Sequence, residues 1–343
     1  MQKQIKYCIF CSFLWSTCAF GAEASKNNEE KPKEPTAPGS VMREEFTPGS
    51  WTLAILPDTQ HYSQSYPGLF LMQTSWLAQQ RDSYNIVFVL HLGDLVERNK
   101  SAQWQNARAA MKVLDGAIPY ALAIGNHDYM YVDKKYKTPA NEYFPLTQLR
   151  QQATFGGAMD SQSVENTYHL FEAGGKKWIV LALEWAPRNE AVEWANKIMS
   201  QYPDLHGILI THGYLYFDDQ RYDHTNPALK QRWYPHGQRR TTGYANDGQE
   251  LWDKLVRKHN FDFVFCGHVL DDGTGYRCDK NDAGKDVHQI LSNYQMRKLG
   301  GEGYMRLMEF LPDGKTVKVR SYSPLYDRLL TQNDQQFTIT LDN

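Results

Sequence analysis

Five apolar runs in this chain stop at side chains drawn from one short list: Asp, Asn or His. Residues 51–56 lead to Pro57-Asp58, 86–92 to Gly93-Asp94 and 120–124 to Gly125-Asn126-His127-Asp128. Residues 206–210 lead to Thr211-His212, and 261–266 to Gly267-His268. Helical periodicity separates several of these runs. Leu69, Met72 and Trp76 mark one face of a helix reaching about Ser83, and a second helix covers about 102–115. Val192, Ala195 and Met199 mark another helix, and Leu251, Trp252, Leu255 and Val256 a further one. Strand–helix–strand–helix–strand order predicts right-handed crossovers and a mostly parallel sheet covered by helices. The carboxyl ends of such strands share one rim, where ligands usually bind. Side chains far apart in sequence are therefore expected to converge there.

Residues 129–165 read as a loop-rich insertion. A hairpin is expected from 167–171 and 178–183 about Gly174-Gly175, and residues 214–245 form a long polar-aromatic loop suited to a lid or rim. The tail is rich in strands (289–294, 304–310, 316–321 and 337–341), two of them joined at Asp313-Gly314. Together these segments predict two packed sheets with helices outside, as one domain over 46–343.

Residues 22–45, with Lys26, Glu29, Glu30, Lys31, Pro32, Glu34, Pro35 and Pro38, have too little apolar content to fold and read as a flexible tether. Ahead of them, residues 1–21 read as an export signal. Lys3 and Lys6 precede an apolar run (7–20) too short to span a bilayer, and Ala19-Phe20-Gly21 suits cleavage. The mature protein is then expected to be secreted or periplasmic. Cys18 offers lipid anchoring as an alternative, against which Trp15 and Thr17 speak. No later segment is apolar enough to be transmembrane. Cys266 and Cys278 remain after the signal. Either they close a short loop, worth about 2–3 kcal/mol on the chain-entropy model, or Cys266 is a buried thiol on a strand.

A formal net charge of −2 and the lack of a basic stripe argue against nucleic acid as a partner. No obligate protein partner is inferred. The 21 Tyr and 9 Trp leave room for an aromatic groove, although most such residues serve the core and surface.

Singly, Asp58 and Asp94 read as turn or helix-cap residues, and His212 and His268 as ordinary polar residues at strand ends. Jointly they read as a metal centre. A two-metal hydrolase needs a bridging carboxylate, further oxygen and nitrogen ligands for each ion, and room for a water. Asp94 is the natural bridge, Asp58 can hold one ion, and Asn126, His212 and His268 the other. His127 projects differently and suits a general acid, with Asp128 helping to orient it. Glu97 reads as solvated or as orienting a neighbour, His61 as a surface or packing residue, and His91 as a buried, hydrogen-bonded one. Arg221, His224, Arg232, His236, Arg239 and Arg240, in the long loop, read as solvated charges or as contacts to a phosphate. Tyr62 is a further candidate for the pocket wall.

The ordered set across residues 58–268 resembles the calcineurin-like metallophosphoesterases. That resemblance implies an α/β fold, a four-layer α/β/β/α sandwich of two mixed sheets flanked by helices, with the metal site at the carboxyl ends of strands. It also implies a dinuclear centre of divalent ions (Mn, Zn, Fe or Mg) and hydrolysis of small phosphomonoesters or phosphodiesters. By position Asp58, Asp94, Asn126, His212 and His268 match ligands, and His127 the family's catalytic histidine. Two matches fail, both on the Asp58 side. Gln60 stands where the first motif has His, and Leu270 where the last motif has its second His. Gln60 still offers an amide oxygen, a weaker ligand than imidazole for zinc or iron, while Asp271 or Asp272 are possible substitutes for the other. The Asp58-side ion is thus expected to be weak or harder-ligated. The alternative is a metal-containing binding protein with little or no hydrolase activity.

Overall fold

The computed structural model describes residues 46–133, 135–238 and 245–342. The expected export signal, the tether and Cys18 lie outside the described residues, as do Arg239 and Arg240. In chain order the first elements are β1 (Trp51–Leu56), α1 (Gln60–Ser65), α2 (Pro67–Gln80), β2 (Ile86–His91), α3 (Ser101–Lys112) and β3 (Tyr120–Leu122). A 3₁₀ turn (Asn126–Asp128) follows, then β4 (Met130–Val132), β5 (Lys135–Lys137), α4 (Ala140–Tyr143), α5 (Leu146–Leu149) and β6 (Phe155–Ala158). Next come β7 (Thr167–Ala173), β8 (Lys176–Ala182), α6 (Asn189–Gln201), β9 (His206–Ile210), α7 (Pro235–Gln238), α8 (Gly248–Lys254) and β10 (Phe261–Cys266). The chain closes with β11 (Thr274–Lys280), β12 (Asp286–Ser292), α9 (Lys298–Gly301), β13 (Met305–Phe310), β14 (Thr316–Ser323), β15 (Arg328–Leu330) and β16 (Gln336–Thr340).

Two seven-stranded sheets result. One runs β15-β14-β13-β1-β2-β3, with β16 on β14; the other runs β11-β12-β10-β9-β8-β7-β6. Their centres are parallel, β1 to β2 to β3 in one and β8 to β9 to β10 to β12 in the other, while the flanking strands are antiparallel. Both sheets are thus mixed, as expected.

Period-2 alternation explains the layering. On β1, Leu53 and Ile55 face the second sheet and pack with Trp178, Val180, Phe263 and Phe265. Ala54 and Leu56 point the other way, into a core with Phe70, Leu77 and Trp104 of α2 and α3. On the second sheet Ile179, Leu181, Leu209 and Val264 face α6 and α8 through Val192, Leu251 and Trp252. Three apolar layers separate four structural ones, giving an α/β/β/α sandwich. Among the described residues, no helix is long and apolar enough to cross a membrane.

Cys266 and Cys278 are both free. Cys266 lies on β10 and Cys278 on β11, with β12 hydrogen-bonded between them. Two strand spacings, about 9–10 Å, exceed the span a disulfide can bridge. Of the two readings, the buried thiol is the one found: Cys266 Sγ accepts from the Leu215 amide at 3.3 Å.

Candidate metal centre

The site is assembled where the parallel strands stop. Asp58 follows β1, Asp94 follows β2 and Asn126 lies beyond β3, all from the first sheet. His212 follows β9, His268 follows β10 and Asn293 follows β12, all from the second. The two sheets meet through these residues. His212 Nδ1 lies 2.8 Å from the Leu92 carbonyl, and the His268 amide donates to both Asp58 oxygens at 3.2 and 3.0 Å. Asp94 and His268 hold left-handed backbone, φ +51° and +72°. Such strain in residues with side chains persists only where the surroundings enforce it, typically at functional sites. Gly125 must lack a side chain, because a Cβ there would sit 2.1 Å from Asp94 Oδ1.

Asp94 is the hub. Its Oδ1 accepts from the His127 amide at 2.9 Å, and its Oδ2 lies 3.1 Å from both Gln60 Nε2 and His212 Nε2. His212 Nε2 also lies 3.1 Å from Asn126 Oδ1. Since His212 Nδ1 donates to a carbonyl, a neutral ring would turn the lone pair of Nε2 toward two oxygens. Positive charge is needed at that point, as a proton or as a metal ion. The electrostatics agree. Burial opposes charge on His212, but Asp94 and Asp58 push its pKa up to about 9. Burial would also raise Asp94, yet His212 outweighs it and brings the carboxyl down to about 2. Burial and His212 press His268 down to about 3, leaving a neutral imidazole. Donor atoms of Asp94, His212 and His268 all lie within 4.8 Å of one another. Three imidazole and carboxylate donors plus an amide oxygen suit a divalent transition metal.

The Asp58 side is built differently. Asp58 is buried, and burial pushes its carboxyl up to about 7. Besides the His268 amide it accepts from Asn293 Nδ2 at 3.0 Å. Gln60 presents its nitrogen to Asp94, leaving Oε1 buried without a hydrogen-bond partner. Turning that amide over would face the orphaned oxygen toward Asp94 Oδ2, an arrangement that a cation between the two would favour. Leu270 supplies no donor. Asp272 instead accepts from the Thr274 amide at 3.1 Å, Asp271 is exposed, and neither joins the Asp94–His212–His268 cluster.

His127 stands beside the cluster, about one-third exposed. Its Nδ1 lies 2.9 Å from the Glu97 carbonyl and 3.6 Å from the Glu97 carboxylate. Burial works against its charge, but Asp94 and Glu97 prevail and its pKa is raised. Asp128, expected to orient this ring, makes other contacts. It is wholly buried and accepts from the Gly125 amide at 2.9 Å and the Val96 amide at 3.1 Å. Three residues after Gly125, on a 3₁₀ turn, its carboxylate folds back toward its own loop. Glu97 takes the orienting place, and Asn99 fixes the turn by donating to the His127 and Tyr129 carbonyls, both at 2.9 Å.

The remaining candidates divide. His61 Nε2 lies 3.6 Å from Glu97 Oε2, placing that carboxylate between two imidazoles. His91 is buried, with contacts to the Thr59 hydroxyl and the Gly93 amide. Tyr62 is buried away from solvent, its hydroxyl accepting from the Gly303 amide. Arg221 is also buried, bonded to Asp279 and Gln289 and lying 4.0 Å over the Trp252 ring. Arg232 is exposed, as a solvated charge would be. From the long loop, the Trp233 carbonyl lies 3.1 Å from His268 Nε2, so this segment does form part of the rim.

Asn293 and Glu184 were missed by sequence reasoning. Glu184 lies just beyond β8, fully buried, and binds Arg188 at 2.8 Å and Asn166 at 3.2 Å. Both obey the rule that revealed the other five, a polar residue after a parallel strand. A cleft of about 580 Å³ lined by Asp160, Ser163, Glu165, Asn166 and Arg188 adjoins Glu184, which binds the last two. The Tyr129 hydroxyl ties that cleft to the His127 turn through Glu165 at 2.6 Å.

Among known proteins, YvnB of Bacillus subtilis (strain 168) is 30% identical over 323 residues, which cover 88% of this chain and 23% of that protein. The chain therefore spans under a quarter of the length of this relative. Among solved structures, the 5'-nucleotidase precursor of Thermus thermophilus is 15% identical, with 85% of this chain and 55% of that one covered and a TM-score of 0.42. GAP50, the anchor in the inner membrane complex of Plasmodium, is 11% identical over 86% and 90% of the two chains, with a TM-score of 0.45. The profile of the calcineurin-like phosphoesterases matches residues 52–272, a stretch that includes every motif from Asp58 to His268, and the chain belongs to that family.

Proposed function

We propose that this protein is an exported, metal-dependent phosphoesterase acting on a small phosphomonoester or phosphodiester. The reading rests chiefly on one observation, the convergence of Asp94, Asn126, His212 and His268 beside His127 at the strand ends. In it, residues 1–21 are the export signal, 22–45 the tether and 46–343 the catalytic domain. Asp94, Asn126, His212 and His268 would hold one divalent ion, and Asp58, Gln60 and Asp94 a second, weaker one. Such ions polarise a phosphoryl oxygen and make a water nucleophilic at neutral pH.

The chain's own groups supply the rest. His127, fixed at Nδ1 by the Glu97 carbonyl, holds a proton at Nε2 for the departing ester oxygen. Glu97 positions that ring, and Asp128 holds the loops of Asp94 and Asn126 together. The polar cleft beside Arg188 offers room for the remainder of the substrate.

A second reading has its own support. Both Asp58 oxygens accept protein N–H groups, and the Gln60 nitrogen occupies Asp94 Oδ2. With only one ion, the scaffold would bind a phosphate ester and turn it over poorly. Hydrolysis of a chromogenic diester and the matching monoester, with manganese, zinc, iron or magnesium supplied separately, distinguishes the two. Metal-dependent turnover of either ester supports the enzyme. Failure with every ion, together with fewer than two ions bound at the strand ends at saturation, supports the binding protein.

A further inference from the structure

We infer a second metal site, built by His224, His236, Asp247 and Glu250 and taking a zinc-class divalent ion. One nitrogen or oxygen from each of these four residues lies within 4.8 Å of all the others. The contacts pair them across the group. His224 Nδ1 lies 2.6 Å from Asp247 Oδ2 and 3.9 Å from Glu250 Oε2, while His236 Nε2 lies 2.5 Å from Glu250 Oε2.

The supporting contacts orient the donors. Asp247 is the N-cap of α8; its Oδ1 accepts from the Glu250 amide, and the Asp247 amide donates back to Glu250 Oε2. Lys254 Nζ holds the outer oxygen, Glu250 Oε1, at 2.9 Å. The oxygens that meet the imidazoles, Asp247 Oδ2 and Glu250 Oε2, also accept from the His224 and Asp247 amides at 2.9 and 3.1 Å, which fixes their direction and leaves each a second lone pair. Asp247 is fully buried, and the His224 side chain is about one-third exposed, which provides an entry path.

The plainer reading is a pair of imidazole–carboxylate hydrogen bonds. With both rings charged it meets an obstacle, because the His224 and His236 rings lie 3.8 Å apart, only 31° from parallel. Two protonated rings so stacked repel each other. A single divalent ion supplies the same charge to both carboxylates while the rings stay neutral. Two imidazole nitrogens and two carboxylate oxygens form a four-donor set suited to zinc. The site would clip the long loop at His224 and at α7 to the start of α8. Trp233, whose carbonyl meets His268, lies between those two histidines, so the clip would hold this part of the rim in place.

The test compares zinc stoichiometry, by competition with a chromophoric chelator, in three full chains: wild type, His224→Ala/His236→Ala and Asp94→Ala/His212→Ala. The expected result is one equivalent fewer in the loop variant, and at least one equivalent kept in the strand-end variant. Equal stoichiometry in wild type and loop variant overturns this site and leaves the proposed function standing. A strand-end variant that keeps every equivalent instead counts against the proposed function. Should circular dichroism show the loop variant unfolded, cobalt(II) on the strand-end variant decides. Visible bands of a four-coordinate nitrogen–oxygen site support the proposal, and their absence overturns it.

Discussion

At the scale of single residues, the histidines differ according to what faces them. His212 gains charge from Asp94, and His127 from Asp94 and Glu97. His127→Ala should lower turnover about 10²–10⁴-fold, the usual contribution of a positioned acid, with metal content unchanged. Turnover assays alongside metal analysis check this, and loss of metal with activity would make His127 a ligand or a structural residue. His169 lacks any such partner. It is fully buried between Phe88 and Phe155, with neither ring nitrogen hydrogen-bonded. Burial alone pushes its pKa from 6.5 down to about 3. Between those values the unfolded chain binds the extra proton, so stability is full above 6.5 and falls as pH drops toward 3. At pH 5 the loss amounts to about 2 kcal/mol. His169→Phe should remove that share of the acid sensitivity, seen as a smaller drop in unfolding free energy from pH 7 to pH 5 than in wild type. An equal drop in both would refute it.

At the scale of elements, turns and strands were legible where their signal was local. Gly174-Gly175 marked the β7–β8 turn, and both residues do adopt left-handed backbone, φ +59° and +72°. The two should differ when substituted. A Cβ on Gly174 would meet Trp51 Nε1 at 2.4 Å, whereas one on Gly175 meets nothing within 4 Å. Gly175→Ala should cost about 1 kcal/mol for the backbone alone, and Gly174→Ala about 2–4 kcal/mol with overpacking added. Denaturant midpoints of the two variants test this, and equal losses would show that the Trp51 ring yields freely. Elements without a strong local signal escaped. Residues 129–165 read as loop, yet hold β4, β5, α4, α5 and β6, each only three or four residues long. β6 carries two glycines, and β11 is an edge strand with polar residues. α1 was also missed, because its six residues make under two turns, too few for an apolar face to repeat. For the candidate site the legible part was the set of residues ending strands. Asn293 was hidden because nothing local marks β12 as parallel. Glu97 was read as solvated or as orienting a neighbour, but which neighbour was not legible, because its contact with His127 is made through space by a backbone carbonyl.

At the scale of the molecule, the metal centre and the sheet packing are one problem. Apolar side chains from both sheets hold the middle of the sandwich, but the rim is closed by polar contacts. Asp58, Asp94 and Asn126 come from the first sheet, His212, His268 and Asn293 from the second, and Asp58 and Asp94 lie buried among them. Without a cation these carboxylates depend on protons and amides for compensation. A divalent ion held between Asp94 of one sheet and His212 of the other would join the layers directly. Binding to the folded chain alone stabilises it by about 2.7 kcal/mol at a hundred times the dissociation constant. For a domain of about 300 residues that corresponds to a shift of roughly 4 °C in melting temperature. A chelator should therefore lower the melting temperature of the wild-type protein by about that much, and added metal should restore it. The Asp94→Ala/His212→Ala chain should keep only the smaller response of any ion bound elsewhere. Because the layers share their buried cores, melting should remain a single transition with and without metal. An equal chelator response in wild type and variant would place the stabilising ion away from the strand ends, and two separate transitions would show that the sheets unfold independently.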